Sequence, residues 1–230
     1  MRPTDALQNK LAAVRDRIHQ AEEAAGRQPE EIRLLAVSKR HPAALIAALA
    51  ELGQRDFGEN YVSEALEKQE QLADLPLTWH FIGPIQSNKT AAIARHFNWV
   101  HSVDRAKILR RLSSSRPADE PPLNVCLQVN LEQEASKSGA APEGVADLAA
   151  LAADLPGLRL RGLMCIPQPT DDPQRQQEVF RRLRELLASL PDEYRLDTLS
   201  MGMSGDLESA VTEGATWVRI GTALFGARPG

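Results

Sequence analysis

Apolar and polar positions along this chain follow two alternating periods. Over residues 4–26, Leu7, Leu11, Val14 and Ile18 recur at helical spacing on one face. Thr4 or Asp5 is available as the cap of that helix, and Gly26 as its stop. The next apolar run, Leu34-Leu35-Ala36-Val37, is too short for a helix and reads as a buried strand ending on Ser38-Lys39. Pro42 suits a first helical turn, and residues 43–49 continue in helical composition. The alternation then repeats, with strands expected over 55–60, 77–82 and 99–103. Helices are expected over 61–72, 88–95 and from Asp104, a candidate cap, to about 112. Ser113-Ser114-Ser115-Arg116-Pro117, with Pro121-Pro122, reads as a loop.

Residues 123–131 carry the clearest strand pattern. Leu123, Val125, Leu127, Val129 and Leu131 alternate with Asn124, Cys126, Gln128 and Asn130. One face would pack on helices, and the other, ending in Gln128 and Asn130, would line the mouth of a closed barrel. A helix over 142–155 separates this strand from the next, over 158–166, which argues against a hairpin. Asp171-Asp172-Pro173 opens a long helix to about 190, with Val179, Leu183, Leu186 and Leu187 on its apolar side. A seventh strand (196–200), a short helix (206–213) and an eighth strand (216–220) complete the pattern. Eight strands, the first seven each followed by a helix, predict an α/β fold: a single TIM-type (β/α)8 barrel with an extra N-terminal helix. The expected unit is one domain over 1–230, with 1–28 as a covering helix. An open doubly wound sheet is the alternative. No Gly-x-Gly-x-x-Gly follows the first strand, which weakens its dinucleotide-binding version.

Composition narrows the partners. The formal charge is −4 and no basic cluster stands out, so nucleic acid is not an expected partner. No apolar run approaches the roughly 20 residues of a membrane span, and the N-terminus lacks a signal-peptide core. Cys126 and Cys165 sit in separate apolar runs as small buried hydrophobes of a reducing cytosol, so a cytoplasmic location is expected. The five histidines show no metal-ligand spacing. No exposed apolar stripe is evident, which is consistent with a monomer.

In such a barrel the active site lies at the strand C-termini, with a phosphate site in the loops after strands seven and eight. Lys39 stands at the end of strand one. Small-residue turns occupy the two loops, Ser200-Met201-Gly202-Met203-Ser204-Gly205 and Gly221-Thr222. Their backbone N–H groups and a helix end can meet an anion, and Ser204 and Thr222 add hydroxyl donors. A lysine across a pocket from a phosphate site suggests an imine. Only about one unperturbed lysine in 2,500 is neutral at pH 7, and an enclosed mouth shifts that balance towards the nucleophilic amine. The carbonyl partner is a sugar phosphate or pyridoxal phosphate; these residues alone do not choose.

Five stretches bear a family resemblance. They are Leu35-Ala36-Val37-Ser38-Lys39, Phe57-Gly58-Glu59-Asn60-Tyr61-Val62, Trp79-His80-Phe81-Ile82-Gly83 with Gln86-Ser87-Asn88-Lys89, Ser200-Met201-Gly202-Met203-Ser204, and Val218-Arg219-Ile220-Gly221. Together, over 34–226, they resemble the pyridoxal phosphate homeostasis proteins, which are similar in fold to the barrel domain of alanine racemase. The resemblance implies pyridoxal 5'-phosphate as cofactor, held as an internal aldimine on Lys39. Ser204, with the Gly221-Thr222 turn, matches the family's phosphate loop, Ser200 and Met203 are further cofactor-binding candidates in the same turn, and Asn60 matches a pocket residue near the cofactor. Arg219 matches the arginine facing the pyridine nitrogen. Such a guanidinium cannot accept that nitrogen's proton, which leaves the ring a poor electron sink. Arg40-His41, after the lysine, is less typical of the family.

The implied function is intracellular pyridoxal phosphate homeostasis, as a carrier or regulator without substrate turnover. Pyridoxal phosphate-dependent apoenzymes are the implied recipients. A pyridoxal-dependent amino-acid racemase is the alternative; racemases of this fold carry a second, C-terminal domain, for which a chain ending at Gly230 leaves no room. A Schiff-base aldolase acting on a sugar phosphate is a third possibility. His80 is expected to be a packed histidine with a hydrogen-bond partner. Lys137, in the polar loop after strand five, is expected to be solvated or to have a secondary role in handling cofactor.

Overall fold

A computed structural model describes residues 3–132 and 138–226, with side chains from residue 5 onward. Eight parallel strands close into a barrel in chain order, the last pairing with the first. The strands are β1 (Arg33–Val37), β2 (Asp56–Glu59), β3 (Thr78–Phe81), β4 (Trp99–Val103), β5 (Leu123–Gln128), β6 (Leu158–Met164), β7 (Thr198–Ser200) and β8 (Trp217–Ile220). A helix α1 (Pro3–Ala24) precedes β1. Those after the strands are α2 (Ala43–Glu51), α3 (Val62–Gln71), α4 (Thr90–His96), α5 (Ala106–Ser115), α6 (Val145–Asp154), α7 (Pro173–Ala188), α8 (Leu207–Thr212) and α9 (Thr222–Phe225). The open doubly wound sheet is thereby excluded.

Strand periodicity divides the core in two. Outward positions such as Phe57, Val100, Val125, Leu127, Val218 and Ile220 join the buried faces of the helices in one large apolar layer. Alternate positions hold a separate, smaller cluster of Leu35, Trp99, Cys126, Met164 and Trp217, with Ile82 packed against it. The 2.0 period of a strand makes this division, because neighbouring side chains must point to opposite faces. Leu7, Leu11, Val14 and Ile18 bury the expected stripe of α1, which rests mainly on α8 and α9.

Several boundaries depart from the sequence reading. Ser113, Ser114 and Ser115 continue α5 instead of forming a loop. Ile108, Leu109 and Leu112 anchor that helix in the core, and Ser113 Oγ donates to the Pro156 carbonyl. Arg116, preceding Pro117, takes the extended conformation that a following proline imposes. Asp104 does not cap α5: the N-cap is Arg105, without a side-chain cap bond, and Asp104 pairs with the Arg105 guanidinium. The expected 88–95 helix divides into a 3-10 turn, Ser87–Lys89, and α4. β5 ends at Gln128, after which Val129 makes an isolated bridge to Ala140. Asp172 caps α7 as expected, accepting from the Gln174 N–H at 3.0 Å. Lys137 lies outside the described residues.

Candidate functional site

A cavity of about 290 Å³ opens at the C-terminal ends of the strands, near the lower end of the roughly 300–1,000 Å³ of small-molecule pockets. Lys39, Asn60, Met203, Ser204, Arg219, Gly221 and Thr222 line it, so seven of the eight residues singled out in the sequence meet there. Ser200 does not. It is fully buried beneath the floor, where its hydroxyl accepts from Arg219 Nη1 at 2.9 Å. Gly205, from the expected glycine turn, also lines it; Val37, His41, Ile82 and Ile166 complete the lining and were not singled out as site residues. The ring of His41 stacks on Phe225, with centroids 4.8 Å apart. Sequence offered one signal for it: an atypical Arg40-His41 pair directly after the lysine. A wider cleft of about 810 Å³ lies at the opposite end of the barrel, among Arg15, Arg33, Arg55 and Asp56, away from these residues.

Lys39 lies two residues past β1, on a segment held from both sides. Ser38 Oγ donates to Glu59 Oε1 at 2.6 Å, and the Ser38 carbonyl accepts from Lys68 Nζ at 2.9 Å. Beyond Lys39, the Arg40 N–H donates to Glu64 Oε1 at 2.5 Å, and Arg40 adopts φ +63°, a left-handed conformation uncommon outside glycine. Lys68 joins the two carboxylates, 2.7 Å from Glu59 and 2.6 Å from Glu64. Burial raises the Glu59 pKa, while Lys68 and Ser38 pull it back. No periodicity marks Lys68 as part of a site. It sits in the last turn of α3 and looks like any surface lysine until the fold buries it.

Asn60 comes directly after β2, and its backbone lies against Gly83. A Cβ at residue 83 would come within 2.3 Å of the Asn60 carbonyl oxygen, so only glycine permits the approach. Asn60 Oδ1 is buried and, among the described residues, has no hydrogen-bond partner. Such an orphaned acceptor costs roughly 1–3 kcal/mol unless a ligand or water satisfies it.

The opposite wall is the turn between β7 and α8. Gly202, at φ +94°, passes so close to α8 that a Cβ would stand 2.6 Å from that of Ala210. Its carbonyl accepts the Arg219 N–H at 2.9 Å, which ties the turn to β8. Arg17 reaches over from α1, donating to the Ser204 carbonyl at 2.7 Å and pairing with Glu208. The covering helix therefore helps to hold the turn. Among the described residues, the backbone N–H groups of Ser204, Gly205 and Thr222 have no acceptor. With the two hydroxyls they form a donor set of the kind that receives an oxyanion. The helix ends contribute little, since α8 spans six residues and α9 four. Asp206 stands behind this turn and accepts the Met203 N–H at 2.5 Å; burial raises its pKa.

Arg219 is buried at the cavity floor, donating to Ser200 Oγ and, at 2.8 Å, to the Cys165 carbonyl. Neither partner is a carboxylate. Burial lowers its pKa from the ordinary arginine value, yet a guanidinium in a protein remains protonated. Among the described residues, the ionisable side chains lining the cavity are Lys39, His41 and Arg219, with no acid and no tyrosine among them.

Comparison with known proteins gives consistent matches. The family model of the alanine racemase N-terminal domain matches residues 10–229. The pyridoxal phosphate homeostasis protein of Pseudomonas aeruginosa is 64% identical over 222 residues, covering 96% of each chain. That of Escherichia coli strain K12 is 52% identical over 226 residues, covering 96% of this chain and 97% of the other. Among solved structures, PipY of Synechococcus elongatus with PLP bound superposes with a TM-score of 0.84 at 39% identity. The match covers 96% of this chain and all of PipY.

Proposed function

The chain belongs to the pyridoxal phosphate homeostasis proteins and carries the alanine racemase N-terminal domain, and from that premise we propose that it binds pyridoxal 5'-phosphate covalently through Lys39 and carries it without substrate turnover. The residues of the cavity fit that group. The donor set of Ser204, Gly205 and Thr222 suits a phosphate, the Lys39 amine suits an aldehyde, and the orphaned Asn60 Oδ1 offers an acceptor beside the ring. Once bound, pyridoxal 5'-phosphate supplies an aldehyde that condenses with a primary amine and a pyridine ring able to accept electrons.

The chain's own residues restrict the chemistry open to the bound group. Lys39 anchors, and the Ser38 and Arg40 tethers hold its backbone in place. Arg219 would face the ring nitrogen and, unable to accept a proton, would keep that nitrogen unprotonated. The observation that carries the carrier function is this buried arginine in a cavity lining without a carboxylate among the described residues. An acid at that place would make the ring a stronger electron sink than an arginine does. His41 is an observation on the side of a racemase, because it adds an ionisable group to the cavity wall besides Lys39 and Arg219. We read residues 1–230 as a single cofactor-binding unit, working as a cytoplasmic monomer that passes its cargo to pyridoxal phosphate-dependent apoenzymes.

Borohydride reduction of the loaded protein, then peptide mass mapping, tests the anchor. The cofactor is expected on Lys39, and Lys39→Ala should abolish the visible absorption band. Stoichiometric labelling of another lysine, with Lys39 clean, would overturn the assignment. Turnover is tested with L- and D-alanine in deuterated water. Sustained α-carbon exchange within the roughly 1–1,000 per second of ordinary enzymes would establish the racemase instead.

A further inference from the structure

Below the cavity floor the barrel interior holds five polar side chains in series, drawn from five strands. Arg219 Nη1 lies 2.9 Å from Ser200 Oγ, and Ser200 Oγ 2.8 Å from His101 Nδ1. His101 Nε2 is then 3.0 Å from His80 Nδ1, and His80 Nε2 is 3.0 Å from Asp56 Oδ1. Ser200, His101 and His80 are wholly buried; the Asp56 side chain is 29% exposed, in the cleft at the far end. Trp99 stacks on His80 at 5.6 Å, and Trp217 meets its ring at 4.9 Å, walling the series with apolar surface.

With Asp56 ionised and both imidazoles neutral, the proton positions have one solution, set from the Asp56 end. His80 must donate to Asp56 from Nε2, so its Nδ1 accepts. His101 then donates from Nε2 to His80 Nδ1, and its own Nδ1 accepts the Ser200 hydroxyl proton. Arg219 can only donate, and Ser200 Oγ accepts from it. Every contact is satisfied with both imidazoles neutral, and burial lowers the pKa of each ring. Reversal is blocked, because it would require a protonated Asp56 or a charged His80. The series is therefore a fixed orientation of dipoles and carries no proton from one end of the barrel to the other.

We propose that Ser200, His101, His80 and Asp56 are positioning residues for Arg219: a one-way hydrogen-bond chain, running from the guanidinium to Asp56, that fixes the guanidinium at the cavity floor. The importance of this for the cofactor rests on the function proposed above, in which Arg219 meets the ring nitrogen. A carboxylate next to the arginine would neutralise it where the ring lies. Here the side-chain bonds to the guanidinium come from neutral groups, and the acid that ends the chain stands on β2, beyond two imidazoles.

The test begins on the full chain without cofactor. Long-range proton–nitrogen correlation NMR of histidine-labelled protein should show His80 and His101 neutral, with the proton on Nε2 in both. A proton on Nδ1, or a charged ring, overturns the chain, and this wild-type measurement stands whether or not variants fold. His101→Gln and His101→Leu are then compared. Glutamine can accept from Ser200 and donate to His80, whereas leucine of similar size can do neither. Leucine should shift the Arg219 side-chain NMR signals and raise the cofactor dissociation rate about tenfold, equivalent to ~1.4 kcal/mol. Glutamine should restore both in large part. Equal disturbance of Arg219 by both variants also overturns the proposal. If the NMR results hold while cofactor dissociation and absorption stay unchanged, the chain stands and the placing of Arg219 at the ring fails.

Discussion

Lys39 and Arg219 reach the same cavity from neighbouring strand ends, yet the residues that support them are of opposite kinds. Beneath Lys39 lies a charged cluster, in which one lysine is shared by two glutamates and every tether ends on the backbone of Ser38 or Arg40 or on the Ser38 hydroxyl. Beneath Arg219 lies a neutral series that touches only the side chain. The difference comes from where each backbone is. Arg219 belongs to β8, paired with Leu35 of β1, so the sheet already fixes its main chain. Lys39 lies past the end of β1, beside the left-handed Arg40, where no ladder holds it. A loop that has left the sheet needs strong tethers, and charge-assisted bonds are the stronger ones. Such a cluster is also less tolerant, since loss of one ion strands another in the core.

The largest expected effect is therefore on the charged side. Lys68→Met should destabilise the protein by roughly 3–5 kcal/mol at neutral pH, the range for stranding a buried partner. Urea denaturation measures it, and a loss below about 1 kcal/mol would mean the cluster is not the support described. The pH dependence has a definite direction. Burial already raises the folded-state pKa of Glu59. Between its unfolded and folded values the native state holds a proton that the unfolded state has released, so stability falls as pH rises through that window. Removing Lys68 extends the window upward. The deficit of the variant should consequently be larger at pH 8 than at pH 5.5.

Arg219→Met breaks the other side and should cost less, about 1–2 kcal/mol. It removes the buried cation itself and leaves the Cys165 carbonyl and the Ser200 oxygen each short of one donor. The same denaturation series measures it, and a cost equal to that of Lys68→Met would erase the contrast. Glu64→Gln should be milder, at roughly 0.5–1 kcal/mol. Its carboxylate is 26% exposed, and an amide oxygen can still accept the Arg40 N–H. Its signature is local: faster hydrogen exchange at the Arg40 amide with little change elsewhere. The smallest effect concerns the cysteines. Burial pushes the Cys165 thiol up to about 12 and Cys126 higher still. Neither should react with a thiol reagent at pH 8 in the native state, as mass spectrometry of the intact protein would show. Modification faster than global unfolding would mean that one of them is not enclosed.

Strand periodicity made the barrel legible. In β5, Leu123, Val125 and Leu127 point outward while Cys126 and Gln128 turn inward, as alternation alone required. Lys39 and the two glycine turns were legible because they sit at element boundaries, where residue type is informative. Boundaries themselves were less so. Ser113–Ser115 looked like a loop because serine is a weak helix former, but the buried face of α5 outweighed that preference.

The sequence by itself thus determined the eight βα repeats, the end of the barrel at which the cavity opens, and seven of the residues that line it. Only the tertiary structure decided what stands behind them. Ser200 was read as a cavity residue, whereas it lies below the floor, between Arg219 and a histidine 99 positions away in sequence. Asp56, His80 and His101 come together because β2, β3 and β4 pair in one register, with Gly58 opposite His80 and His80 opposite Trp99. Lys68 became an internal ion because α3 lies against the β1–α2 turn. A periodic pattern states which face of its own element a residue occupies. Which groups meet inside a closed barrel depends on register between strands, a relation between distant segments that no single stretch of sequence contains.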